Sequence, residues 1–69
     1  MNLIKCFLID MGGEFPEIDQ LEILLPALPV KGDNNFDVTH KGVIHNCSVI
    51  DVDWIIKEQE FSHCSIYIK

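Results

Sequence analysis

With 69 residues, 48% of them apolar, the chain has room for one small core and reads as a single domain spanning residues 1–69. A chain of this length removes only about 60% of its unfolded surface from water, so its stability margin is thin, and no apolar run reaches the ~18–20 residues of a membrane-spanning helix. The formal net charge is −6, and the five cations are scattered lysines with no arginine among them. This argues against direct nucleic-acid binding, which normally uses clustered cations and the guanidinium fork.

The first element is residues 2–9, NLIKCFLI. It is rich in strand formers and too short for a self-sufficient helix. Lys5 interrupts the apolar run and no small-residue cleavage site follows, so a strand is expected rather than a secretory signal. Both of its faces are apolar: Leu3, Phe7 and Ile9 on one, Ile4, Cys6 and Leu8 on the other. A small sheet has one interior, so the spare face needs another cover. A homodimer with the same patch on both subunits is the simplest closed answer.

MGGEFPE follows, with Gly12, Gly13 and Pro16, and reads as a turn. A strand leading into Asp10-x-Gly12-Gly13 resembles the first phosphate loop of sugar kinases and other actin-like ATPases. Those folds need a far longer chain and a second acidic loop, and Glu14 would repel a phosphate. The expectation is therefore a strand ended by Asp10 and a bend at the glycines.

Residues 18–25 fit two elements. Leu21, Ile23 and Leu25 alternate as in a strand, while Ile18, Leu21, Leu24 and Leu25 fit one face of a short helix. Pro26 and Pro29 end either one. Gly32-Asp33-Asn34-Asn35 is a dense turn signal. FDVTHKGVIH reads as strand, turn at Lys41-Gly42, and strand.

The last third shows two alternating runs. Ile50, Val52 and Trp54 share a face, as do Cys64, Ile66 and Ile68. Matching the apolar faces across a loop at Glu58-Gln59-Glu60 pairs Trp54 with Cys64, Val52 with Ile66 and Ile50 with Ile68. Trp54 is then expected to be largely buried. The other face carries Asp51, Asp53, His63, Ser65 and Tyr67, giving a hairpin with one dry and one wet side.

The whole reads as a mostly β fold: a small antiparallel sheet or a barrel of four to five strands, with residues 18–25 as a strand or one short helix. The run from Leu28-Pro29 through Gly32-Asp33, then Val49, Val52 and Trp54, then the final SIYIK, resembles small uncharacterised phage and prophage proteins with Src-homology-3-like barrels. The resemblance implies a compact barrel in a mobile-element setting and supplies no activity.

The three cysteines, Cys6, Cys47 and Cys64, include no short metal-type spacing. Reduced thiols in a cytoplasmic compartment, that of a bacterial host if the chain is phage-encoded, are the expectation. His45 and Cys47 fall on one side of a strand, and Cys64 or His63 could join them on a zinc ion. Paired C-x-x-C or H-x-x-x-H units are absent, so neither metal nor cofactor is expected. Catalytic patterns are also lacking. There is no G-x-S-x-G elbow around Ser48, Ser62 or Ser65, and His63 and Cys64 point to opposite faces of a strand. Asp51 and Asp53, about 6–7 Å apart along a strand, are read as solvated.

The resulting expectation is a non-enzymatic acidic interaction protein. Asp51, Asp53 and Tyr67, with Glu58 and Glu60 at the hairpin tip, form its candidate partner-binding edge. The partner is another protein with a basic surface, and no membrane is involved. A phage-encoded, anti-CRISPR-like inhibitor of a bacterial defence machine would have this size and sign of charge. The alternative is a self-associating protein that binds a small molecule or nucleotide.

Overall fold

The computed structural model describes residues 2–69. Six strands form in chain order: β1 (Ile4–Asp10), β2 (Glu22–Leu25), β3 (Phe36–His40), β4 (Val43–Cys47), β5 (Val49–Lys57) and β6 (Glu60–Ile68). A four-stranded sheet has the order β2-β1-β6-β5, and β3-β4 is a separate hairpin. The fold is mostly β, as the residue patterning implies. The two sheets do not close into a barrel.

The sheet is mixed. β1 pairs antiparallel with β2 and parallel with β6, with Cys6 opposite Cys64 and Leu8 opposite Ile66. A parallel pair needs a long crossover, and everything between the first and last strands serves as one. Adjacent runs in the sequence suggest hairpins only, which is why the sequence reading expects an antiparallel sheet. Residues 18–25 contain no helix: Ile18 lies in a turn and Glu22–Leu25 is an edge strand.

The core lies on one face of the sheet. Cys6, Leu8, Cys64, Ile66, Ile68 and Val49 project from it, and Ile18, Val38 and Cys47 close over them from the 15–20 turn and the β3-β4 hairpin. Alternation along β1 and β6 sets this face. The turn is held by backbone bonds from the Ile18 and Asp19 N–H groups to the Phe15 carbonyl, which places Ile18 fully inside.

Asp10 ends β1, and its two carboxylate oxygens accept the N–H groups of Gly13 and Phe15 at 3.0 and 2.9 Å. The glycine loop is thus bound to its own strand end. Gly13 has φ +74°, a left-handed conformation that glycine adopts without steric cost.

The β5-β6 hairpin departs from the expected register in two places. Trp54 does face Cys64, and Val52 faces Ile66. Ile68 pairs with Val49 instead of Ile50, because Ile50 is an extra residue bulged out of the ladder. Val49 is pinned there: its N–H donates to the Asp33 carbonyl and its own carbonyl accepts from Gly32. At the other end the loop is the two-residue turn Glu58-Gln59, since Lys57 pairs with Glu60. Ser62, unpaired between Phe61 and His63, absorbs the one-residue difference.

Candidate docking face

The second face of the sheet is open. Its rows follow from the register: Asp51, Tyr67 and Ile9 lie side by side across β5, β6 and β1, then Asp53, Ser65 and Phe7, then Ile55 and His63. Phe7 and Ile9 are half-buried. The Phe7 ring meets the His63 ring edge-on at 4.9 Å, and the Lys5 ammonium sits 5.6 Å from its centre. The spare face of β1 is therefore partly dressed by its own neighbours.

At one end of this face a cleft of about 230 Å³ is lined by Met11, Ile50, Asp51, Asp53 and Tyr67. The bulge turns Ile50 into this cleft's wall. Hydrogen bonding to the Asp53 carboxylate, the negative charge of Asp53 and partial burial push the Tyr67 phenol above its ordinary pKa of 10.0, against a smaller opposing effect from Ser65. Among the described residues the one ion pair is Lys5–Glu22, at 3.7 Å, so Asp51 and Asp53 have no cation of their own. The cleft presents two carboxylates and an aromatic ring, a chemistry that suits a cationic side chain.

Glu58 and Glu60 are not part of this cluster. The strand rise puts Glu58 about 23 Å from Asp51, at the far tip of the hairpin. That tip carries something the sequence reading misplaces. Trp54 is 58% exposed, where burial was expected, and Ile56 and Phe61 are exposed beside it. The alternation is correct, but the hairpin extends past the layer that covers the core. Trp54 packs edge-on against Phe61, ring centres 5.5 Å apart. An apolar residue on the inner face is buried only where a second layer reaches it, and the sequence of β5 alone does not say where that layer stops.

A second cleft, about 220 Å³, lies between the β3-β4 hairpin and the 15–20 turn, lined by Glu17, His40, Lys41, Val43 and His45. His40, Val43 and His45 share the inner face of the hairpin, with Val38 opposite His45. The Phe15 ring meets His45 edge-on at 5.9 Å.

The three thiols are free and buried. Burial, and secondarily the neighbouring Cys64, push Cys6 up to about 11. Burial also raises Cys47, with Asp10 and Asp37 adding to it, and raises Cys64. His63 lies on the open face and Cys64 inside, so the two do not form a nucleophile–base pair. Among the described residues no group of three or more His, Cys, Asp or Glu is placed to hold a metal ion. Among the described residues no helix is long and apolar enough to cross a membrane. Comparison with family models, curated proteins and solved structures returns no match for the chain.

Proposed function

We propose that this chain is a non-enzymatic acidic interaction protein that docks its open sheet face on a basic surface of another protein. One observation carries the reading: Asp51 and Asp53 sit on a hydrogen-bonded sheet beside Tyr67, around a cleft, without a cation of their own among the described residues. Such a cluster offers its carboxylates to an incoming Lys or Arg with little reorganisation. Tyr67 supplies the rigid aromatic contact typical of interface anchors. Glu58 and Glu60, at the tip, act on approach through the field of the net charge. Inhibition of a nucleic-acid-handling defence machine, by occupying its basic groove in a phage-infected bacterium, is the setting that suits an acidic protein of this size.

The test starts from the proteins that co-purify with a tagged chain in the cell that encodes it. Affinity for the partner should fall steeply with salt. Asp51→Lys/Asp53→Lys should abolish binding without lowering the melting temperature appreciably, because both side chains are exposed. A folded double variant that binds its partner at full strength defeats the reading.

A second reading, a small-molecule or nucleotide binder, draws on the second cleft, where two histidines and a lysine converge in an otherwise acidic chain. A ligand held there would raise the melting temperature of the wild type and leave that of His40→Ala/His45→Ala unchanged.

A further inference from the structure

β5 is a nine-residue strand at the rim of the sheet. Only its first residue is covered on the outer side, through the bonds of Val49 to Gly32 and Asp33. From Asp51 onward no other segment of the described chain is hydrogen-bonded alongside it. The Val52 N–H donates instead to the carboxylate of its neighbour Asp51, at 2.9 Å. The run from Asp51 to Lys57 contains no inserted residue: Ile50 precedes it, and Ser62 is an insertion in β6. Trp54 and Ile56 on this strand are 58% and 57% exposed, with Phe61 beside them. Soluble proteins usually blunt a long apolar edge, or pair it.

We propose that this edge pairs antiparallel with the β5 edge of a second copy of the chain, about a two-fold axis at Trp54. The charges select the register. A two-fold antiparallel pair sets residues at equal distances before and after the axis opposite each other. The ionised groups on the strand are Asp51, Asp53 and Lys57. An axis at Val52 puts Asp51 against the second copy's Asp53, and an axis at Asp53 puts that residue against itself. Both place like charges across the seam. An axis at Ile55 matches Asp53 with Lys57, but it runs Asp51 and Val52 into the Glu58-Gln59 turn. The axis at Trp54 pairs the whole run from Asp51 to Lys57. Asp51 and Lys57 then meet twice, Val52 faces Ile56 twice, Asp53 faces Ile55, and the two Trp54 side chains meet at the centre.

The result is a continuous sheet of two four-stranded halves. The apolar tip residues of both copies gather on one side. The two clefts at Asp51, Asp53 and Tyr67 lie on the other. The seam and the docking cleft share Asp51 and Asp53, whereas Ile56 and Lys57 belong to the seam alone, so variants at those two positions test the seam with the cleft's own residues unchanged.

Sedimentation equilibrium across the micromolar range tests it. The expected mass rises toward twice 7.9 kDa, and Trp54 emission shifts to the blue over the same range. Asp51→Lys and Lys57→Asp should each weaken association about tenfold or more, since each replaces two opposite-charge pairs with two like-charge pairs. The combined Asp51→Lys/Lys57→Asp chain should return to within about threefold of the wild type. Ile56→Lys should be monomeric. Leu24→Lys, on the opposite rim and 56% exposed, should keep the wild-type mass. Circular dichroism confirms that each variant is folded, and the wild-type mass and Trp54 emission decide the matter even if a variant is not. A strict monomer across this range overturns the proposal. So does a dimer indifferent to both charge reversals, and rescue by Asp53→Lys/Lys57→Asp instead would refute the Trp54 axis. Partner binding by the monomeric Ile56→Lys chain, which keeps Asp51, Asp53 and Tyr67 of the cleft unchanged, separates failure of the seam from failure of the docking face.

Discussion

The two rims of the four-stranded sheet are built differently. β2 is four residues long, stops at Pro26, and lies beside the Lys5–Glu22 ion pair. Such a rim offers little backbone to another chain, and proline cannot extend it. β5 is more than twice as long and carries exposed Trp54 and Ile56. The difference has a local cause. β2 has only β1 to lean on and ends where the chain must turn away. β5 is tied to β6 by a tight turn, and the two strands support each other beyond the point where the core stops. The same sheet therefore has a short, blunted rim and a long open one on either side of β1 and β6.

Substitution at the centre and at the open rim separates packing from exposure most sharply. Leu8 on β1 is fully buried, so Leu8→Ala should cost about 2–5 kcal/mol, enough to unfold much of a domain this small. Trp54→Ala, measured where the chain is monomeric, should cost under about 1 kcal/mol, because the ring lies mostly in water. Urea melts of the two variants check this. Equal losses would mean that β5 is covered along its whole length in the monomer.

How the sequence anticipates these regions depends on what each residue's position requires. Alternation in Cys64, Ile66 and Ile68 identifies the buried face of β6, because period two is a property of the strand itself; β1 is apolar on both faces, so its sequence alone does not say that Cys6 and Leu8 are the ones turned inward. The Lys41-Gly42 turn is equally plain, since His40 and Val43 pair across it. The outward placement of Asp51, Asp53 and Tyr67 follows from the same alternation. The parallel β1-β6 contact is not legible, because nothing local in either strand records which distant strand lies beside it. The bulge at Ile50 depends on Gly32 and Asp33 reaching the backbone of Val49, another long-range contact. Trp54 reads as core because an apolar residue on an inner face looks the same whether or not a second layer extends over it.

Titration offers a second comparison of centre with rim. Cys6 lies opposite Cys64 in the sheet centre, its pKa raised from the ordinary 9.0 to about 11. The folded chain therefore keeps a proton that the unfolded chain releases above pH 9. The stability this contributes is fully present below that pH and is lost as pH climbs toward 11. The melting temperature should fall over that window, and Cys6→Ala should flatten the fall while lowering stability at neutral pH. Thiol-reactive dye at neutral pH should label the native chain slowly and the unfolded chain fast, since little thiolate forms and the sulfurs are buried. Rapid labelling of the native chain would show that the sheet centre opens as readily as its rim.

The smallest effect concerns the turn that holds the open rim in place. Glu58 and Gln59 both adopt positive φ, 52° and 67°. This is the conformation of a hairpin turn that favours Asn-Gly, because a side chain in the left-handed region is strained. The β3-β4 turn makes the same bend with Lys41-Gly42, where the second residue, at φ 79°, is a glycine and is relaxed. Gln59 is exposed and its side chain has no hydrogen-bonded partner among the described residues, so replacing it removes strain and little else. Gln59→Gly should raise stability by up to about 1 kcal/mol, the relief of a left-handed non-glycine residue offset in part by the greater freedom of glycine in the unfolded chain. Gly42→Gln should do the reverse by a similar amount. Because Gln59 lies beyond the Asp51–Lys57 seam, the monomer–dimer constant should stay within about twofold of the wild type. If Gln59→Gly destabilises the fold, the turn is not the strained element that its backbone angles indicate. If it leaves stability alone but shifts the dimer constant, the seam reaches past Lys57 into the turn, as an axis at Ile55 would require.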